Sequence, residues 1–220
     1  MPKARKKSNK PLPPVLHIYC EGGKTEPNYL NGYIKKYHEQ CNRRLIKIEK
    51  SKKNTPKELV IEAIKNKTNA ETPKVDIFWV VYDRESVADY SNHLHKQALD
   101  KANANSVNIA LTNVCFEVWI LLHMTYSTAD YNCCGDFIKK SQLRNKLKEK
   151  GVAKYEKGDI LVFDNISGED GVNKARANAE KMNKSTIQAS PQNNNKPYLL
   201  NPYTDMHKLL DAIDNFIKHP

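Results

Sequence analysis

The chain has 220 residues, of which 39% are hydrophobic and 28% charged, with a formal net charge of +11. That length suits one globular domain with decorations, able to bury a sizeable core without staples or a structural metal. The composition excludes a disordered chain, and no apolar run approaches the ~20 residues of a membrane helix.

The N-terminus is basic, but Pro11-Leu12-Pro13-Pro14 follows where a signal peptide carries its apolar core, so a cytoplasmic location with no membrane partner is expected. Residues 1–13 read as a flexible basic arm. Val15-Leu16-His17-Ile18-Tyr19-Cys20 is an apolar, partly β-branched run stopped by Glu21-Gly22-Gly23, the pattern of a buried strand and a tight turn. A helix is predicted from Thr25, with Thr25 as its cap, Pro27 in its first turn, and Tyr29, Leu30, Tyr33 and Ile34 at helical spacing. The alternation in Arg44-Leu45-Ile46-Lys47-Ile48-Glu49 predicts a second strand, and Thr55-Pro56-Lys57-Glu58 opens a second helix. Residues 75–82 form the clearest strand, ending at Asp83-Arg84-Glu85. A helix over 87–104, a strand over 107–111 and a helix over 115–124 follow.

Four strands alternating with helices imply an α/β fold, a parallel sheet with helices on both faces. Beyond about residue 126 the pattern turns helical: helices near 136–150 and 168–183, an asparagine-rich loop at 184–197, and a last helix over 202–218 capped by Thr204. The division expected is an arm at 1–13, an α/β core at 14–125, and a mainly α-helical C-terminal extension at 126–220 packed on that core.

Of the five cysteines, Cys20 and Cys115 lie in apolar runs and read as small hydrophobes. Cys133 and Cys134 are adjacent and no C-x-x-C pair occurs, so spacing does not support a thiolate zinc site. The positive net charge concentrates polyanions near the surface, although a lysine-rich composition carries the same excess without a nucleic-acid partner.

Glu21, Asp83 and Glu85 carry the chemistry. Each closes an apolar strand, so all three fall at one edge of the sheet, where open α/β sheets place ligands. A single acid after a strand is ordinarily a turn or capping residue; the set favours a site. Convergent carboxylates are the hard oxygen ligands that Mg²⁺, or Mn²⁺, requires, and such an ion neutralises phosphate and activates a nucleophile. Gly22 and Gly23 let backbone N–H groups approach a phosphate, and Lys24 adds charge at the helix start. Glu117 lies in an otherwise apolar helix, where a lone charge is costly, so Arg84, Lys24 or the metal is expected beside it. His123 reads as a structural histidine. His93 and His95 fall on different helix faces and are rejected as a metal pair. Tyr29, Tyr33 and Trp119 read as core, and Lys157 and Lys208 as surface lysines within reach of phosphate.

The segment Tyr19-Cys20-Glu21-Gly22-Gly23-Lys24-Thr25-Glu26-Pro27-Asn28-Tyr29 resembles the opening motif of the RloB family, a variant of C-E-G-x-x-T-E-x-x-Y. Trp79-Val80-Val81-Tyr82-Asp83-Arg84-Glu85 is similar to its second motif, and Asn113-Val114-Cys115-Phe116-Glu117-Val118-Trp119-Ile120-Leu121-Leu122-His123 to its third. Tyr155-Glu156-Lys157 and the block from Asn201 to Leu209 match later positions, in order. Two departures stand out: Glu85 replaces the usual aspartate and Val114 the usual proline.

The resemblance implies a Toprim-like fold, with Glu21 as general acid or base and Asp83 and Glu85 as the metal pair. Glu21 is also counted as a ligand, Arg84 and Lys157 as phosphate contacts, and Glu26, Asn113, Glu117 and His123 as supporting residues. It further implies an antiphage, abortive-infection setting beside an ABC-type ATPase, and a metal-dependent nuclease acting on DNA or RNA. The alternative is a non-catalytic subunit that binds nucleic acid or regulates the ATPase. Oligomeric state is left open, a homo-oligomer included.

Overall fold

A computed structural model describes residues 13–39, 45–168 and 170–218; nearly all of the predicted arm, and Arg44 of the predicted second strand, lie outside them. Strands β1 (Leu16–Cys20), β2 (Ile46–Glu49), β3 (Ile77–Asp83) and β4 (Asn108–Asn113) pair in parallel, and β5 (Tyr203–Thr204) runs antiparallel to β4. The sheet order is β2-β1-β3-β4-β5. Its helices are α1 (Thr25–His38), α2 (Pro56–Lys67), α3 (Asn92–Ala104), α4 (Glu117–Leu122), α5 (Cys134–Lys140), α6 (Leu143–Glu149), α7 (Val162–Ser167), α8 (Gly171–Ala189) and α9 (Met206–Lys218). The parallel sheet flanked by helices, with a helical C-terminal part, is the α/β fold expected from the sequence.

β1 and β3 read as continuous apolar runs because both of their faces are covered. On one face Phe78, Val80 and Tyr82 of β3 meet Leu59 and Ala63 of α2 and Ala98 and Ala102 of α3. On the other, Leu16, Ile18 and Val81 share a larger core with Tyr29 and Leu30 of α1 and with α4 to α9. Helix α4 is buried along its whole length and packs against α5, α6 and α8. The C-terminal helices thus complete the core on one face of the sheet. Among the described residues no helix is long and apolar enough to cross a membrane.

Several boundaries differ from expectation. Thr25 is the first helical residue, not the cap; Lys24 holds the cap position and makes no side-chain cap bond. Thr55 does cap α2, accepting from the Glu58 N–H. The helix expected over 87–104 begins only at Asn92, capped by Ser91, whose hydroxyl accepts from the Leu94 N–H; residues before it fold into a turn in which the Tyr90 N–H donates to Ser86 O. The single helix expected over 136–150 is two short ones, broken at Ser141, and α7 was not anticipated. The asparagine-rich loop over 184–197 is in part wrong: α8 continues through Ala189 because Ile187 is packed against the α2–α3 core, and two 3₁₀ turns follow at Pro191–Asn193 and Pro197–Leu199. The last helix starts four residues later than 202, since Tyr203–Thr204 is held in the sheet by pairing with Thr112 and Asn113. The Thr204 hydroxyl bonds Thr112 Oγ1 at 2.8 Å and accepts from the Met206 N–H at 3.3 Å.

Leu209 of α9 is fully buried in the same core as β1. Leu209→Ala is expected to cost about 2–5 kcal/mol, read in urea unfolding as a lower midpoint of one cooperative transition.

Candidate active site

β1 leads through α1 outward to β2, whereas its neighbour β3 leads through α3 the other way to β4. The winding reverses between them, so a crevice opens beyond their carboxyl ends. Cys20 pairs with Val81, the Glu21 N–H donates to Val81 O at 2.9 Å, and the Asp83 N–H donates to Glu21 Oε2 at 3.1 Å. Glu21 is therefore locked onto the end of β3 by backbone on one side and by its own carboxylate on the other. The Glu85 N–H donates to Val114 O at 3.0 Å, and Glu85 itself lies in the left-handed region with φ +54°.

These residues open on a cleft of ≈ 520 Å³ that Gly22, Gly23, Lys24, Thr25, Glu26, Asn54, Tyr90 and Lys157 complete. Gly22 is closely approached: a Cβ there would lie 2.2 Å from Glu26 Oε2, so the Glu26 carboxylate would have to move. Lys157 reaches the cleft because its loop is pinned to α1. Asn28 Nδ2 donates to Gly158 O at 2.9 Å, and Gly158, at φ +84°, would place a Cβ 2.7 Å from Lys24 Cβ.

Across the chain, residues 16–213 match the family model described as RloB-like protein. The chain belongs to the RloB-like family. No curated protein and no solved structure matches it. The three motif blocks of this RloB-like chain meet at the sheet edge: the first supplies the turn after β1, the second the end of β3, and the third the segment from the end of β4 through α4. Val114, where the resembled motif has proline, follows a cis peptide bond.

Of the residues singled out from sequence, Glu21, Gly22, Gly23, Lys24, Glu26, Asp83, Glu85 and Lys157 share the cleft. Arg84 does not. Its Nε donates to Tyr198 O, and its terminal nitrogens donate to Tyr90 O and Asn92 Oδ1, so the expected phosphate contact is a buried brace instead. His95 Nε2 lies 3.0 Å from Arg84 O and supports the same brace; burial, with the Arg84 charge, lowers its pKa to about 4, so the neutral ring donates there. Asn113 Nδ2 donates to Leu200 O, fixing the chain to the sheet edge. His123 is buried between Tyr29 Oη and Trp119 O, away from the cleft, and burial lowers its pKa to about 4. Lys208 pairs with Asp205 at 2.7 Å. Glu117 finds neither Arg84 nor Lys24: Tyr155 Oη donates to it at 2.9 Å, Cys134 Sγ at 3.4 Å, and Lys157 Nζ lies 3.7 Å away. Tyr90 and Asn54 also line the cleft and are not among the residues singled out from sequence; the helix predicted over 87–104 takes in Tyr90, whereas the Ser91 cap leaves it in the turn before α3.

Electrostatically the cleft is crowded with acid. Burial pushes the Glu21 carboxyl up to about 7, against hydrogen bonds from the Asp83 N–H and Tyr90, with Glu26 and Glu85 adding to the rise. Asp83 is held well above the usual carboxylate range by burial and then by the charges of Glu26, Glu117, Glu21 and Glu85. Burial raises Glu26 and Glu85 as well, and Lys157 opposes both shifts. Burial works most strongly against the charge on Lys157, but Glu117, Cys134 and Cys115 together outweigh it and the ammonium is held above its ordinary value. A divalent cation would suit hard oxygen donors gathered this way, since it offsets the burial and the mutual repulsion that raise their pKa values. Among the described residues, the trio whose ligand atoms all fall within 4.8 Å is a different one, Cys115, Glu117 and Cys134. No three ligand atoms of the cleft carboxylates draw within that distance of one another; what they offer is hard oxygen donors, the type that Mg²⁺ takes one or two at a time.

The folded chain holds the Glu21 proton more tightly than the unfolded chain, whose value is near 4.5. The stability this group contributes is complete below about 4.5 and disappears as pH rises through about 7. In metal-free protein Glu21→Gln is expected to leave Tm unchanged at the acid end of that window and raise it by a few degrees above the window, which thermal melts across pH will show. Gly22→Ala, by displacing the Glu26 carboxylate, is expected to cost about 1–3 kcal/mol, measured by urea unfolding.

Proposed function

We propose that this chain is a magnesium-dependent, Toprim-type nuclease that hydrolyses phosphodiester bonds of DNA or RNA, acting as the effector of an antiphage defence system with an ABC-type ATPase. The observation that carries the chemical part is the joining of Glu21 to the end of β3 in the switch-point crevice, with Asp83 and Glu85 beside it. The defence setting and the ATPase rest on the family resemblance alone. Asp83 and Glu85 would hold a divalent ion, whose chemistry there would be charge neutralisation at the phosphate and a lowered pKa for the attacking water.

The chain's own residues do the rest. Glu21, with its pKa near 7, is tuned to take up and release a proton at neutral pH. The turn at Gly22 and Gly23, leading to an N-terminus of α1 without a side-chain cap, offers backbone N–H groups to a phosphate. Lys24 and Lys157 flank the same cleft and give the polyanion two positive contacts. Asp83 and Glu26, nearly closed off from water, keep the floor of the cleft acidic and its geometry fixed.

Calorimetric titration of Mg²⁺ and Mn²⁺ into wild-type protein and the Asp83→Asn/Glu85→Gln double variant tests the site. Binding is expected in the wild type and lost in the variant, and metal stabilisation should grow with pH as protons cease to compete. Cleavage of DNA and RNA substrates, assayed with the ATPase present, is expected to fall by about 10²–10⁴-fold in Glu21→Gln. Cleavage unaffected by that change would remove Glu21 from the chemistry. Binding of nucleic acid that is steeply salt-dependent, metal-independent and without cleavage would favour the non-catalytic subunit.

A further inference from the structure

We infer that Cys115, Glu117 and Cys134 form a second cation site, a thiolate–carboxylate site of the kind that takes Zn²⁺, next to the acidic cleft but made of residues that do not line it. The ligand atoms of the three lie within 4.8 Å of one another, and Cys134 Sγ is 3.4 Å from Glu117 Oε2. A tetrahedral zinc with bonds of about 2.3 Å to sulfur and 2.0–2.2 Å to oxygen needs neighbouring ligands about 3.5–3.8 Å apart. Closing the trio around an ion thus takes side-chain movements of an ångström or so.

Chemistry and surroundings agree. Two sulfurs select a borderline or soft metal over Mg²⁺. The three residues are 0%, 1% and 7% exposed in the order Cys115, Glu117, Cys134, so the site is dry. Glu117 is the first residue of α4 and Cys134 the first of α5, which sets two of the ligands on packed helices. Binding Zn²⁺ displaces one proton from each thiol, leaving two thiolates, one carboxylate and one dication, a net single negative charge. Lys157 Nζ, 3.7 Å from Glu117 Oε2, neutralises it. The fourth position falls to water or to Tyr155 Oη, which lies 2.9 Å from Glu117 Oε1. Cys133, adjacent in sequence, is not in the trio; its Sγ accepts from the Asp136 N–H. Bound metal would tie α5 to α4 and fix the side chain that anchors Lys157 at the cleft.

The test adds Co²⁺, then Zn²⁺, to reduced full-length protein. One equivalent of Co²⁺ is expected to give the near-ultraviolet sulfur-to-metal charge-transfer band, and Zn²⁺ to abolish it by displacement. The band should disappear in Cys134→Ser, weaken in Glu117→Gln, and persist in Cys133→Ser, Cys41→Ser and Asp83→Asn/Glu85→Gln. In wild-type protein, X-ray absorption at the zinc edge should show two sulfur neighbours at about 2.3 Å, which decides the matter if a variant fails to fold. No charge-transfer band in folded wild type, a band that survives Cys134→Ser, one lost in Cys133→Ser or Cys41→Ser, or a Cys115–Cys134 disulfide that persists under reductant would each overturn the assignment. Since the double variant keeps the band, failure here is distinct from failure of the nuclease reading.

Discussion

The parallel pairing of β1 with β3 is the constraint on which the rest depends. It fills the middle of the sheet, so both strands must be apolar on both faces, and it forces their crossovers to opposite sides. One register then fixes where Glu21 and Asp83 stand. A slip of one residue would turn Phe78, Val80 and Tyr82 to the wrong core and carry Asp83 away from Glu21. The core on both faces and the placement of the acids are therefore one commitment, not two.

Acid at that edge is costly to assemble, and the surrounding structure is arranged around the cost. Buried carboxylates are tolerated only when protonated, paired or bound to cations. Here Glu21 and Asp83 lean toward protonation, while Glu117 takes Tyr155, Cys134 and Lys157 as partners. Lys157 arrives from a loop far along the chain, anchored by Asn28 and by the clearance that Gly158 leaves for Lys24. The helical C-terminal part thus closes one face of the core and also delivers a cation to the cleft.

Much of this was legible in sequence because it is written in short-range patterns. The apolar runs ending in acids gave β1 and β3, the strand–helix alternation gave the parallel sheet, and the glycine pair marked the turn after β1. What escaped depends on contacts distant in the chain. Tyr203 and Thr204 form a strand only because β4 offers an edge, and two residues carry no periodicity of their own. Arg84 looks like a phosphate ligand between two acids, yet strand alternation turns it away, where the backbone carbonyls of Tyr198, late in the chain, and of Tyr90 receive it. Cys115 and Cys134 meet through the packing of α5 on α4, which cysteine spacing does not encode.

The left-handed backbone at Glu85 sets stability and function against each other. Glutamate is poorly suited to φ +54°, a conformation that glycine, asparagine and aspartate adopt at less cost. Selection for a sturdier chain would be drawn to position 85, and each residue that relaxes the backbone there shortens the carboxylate or deletes it. Stabilised variants recovered without regard to activity should therefore accumulate changes at this position, and a glutamate kept through such selection would mean that the longer reach is worth its strain.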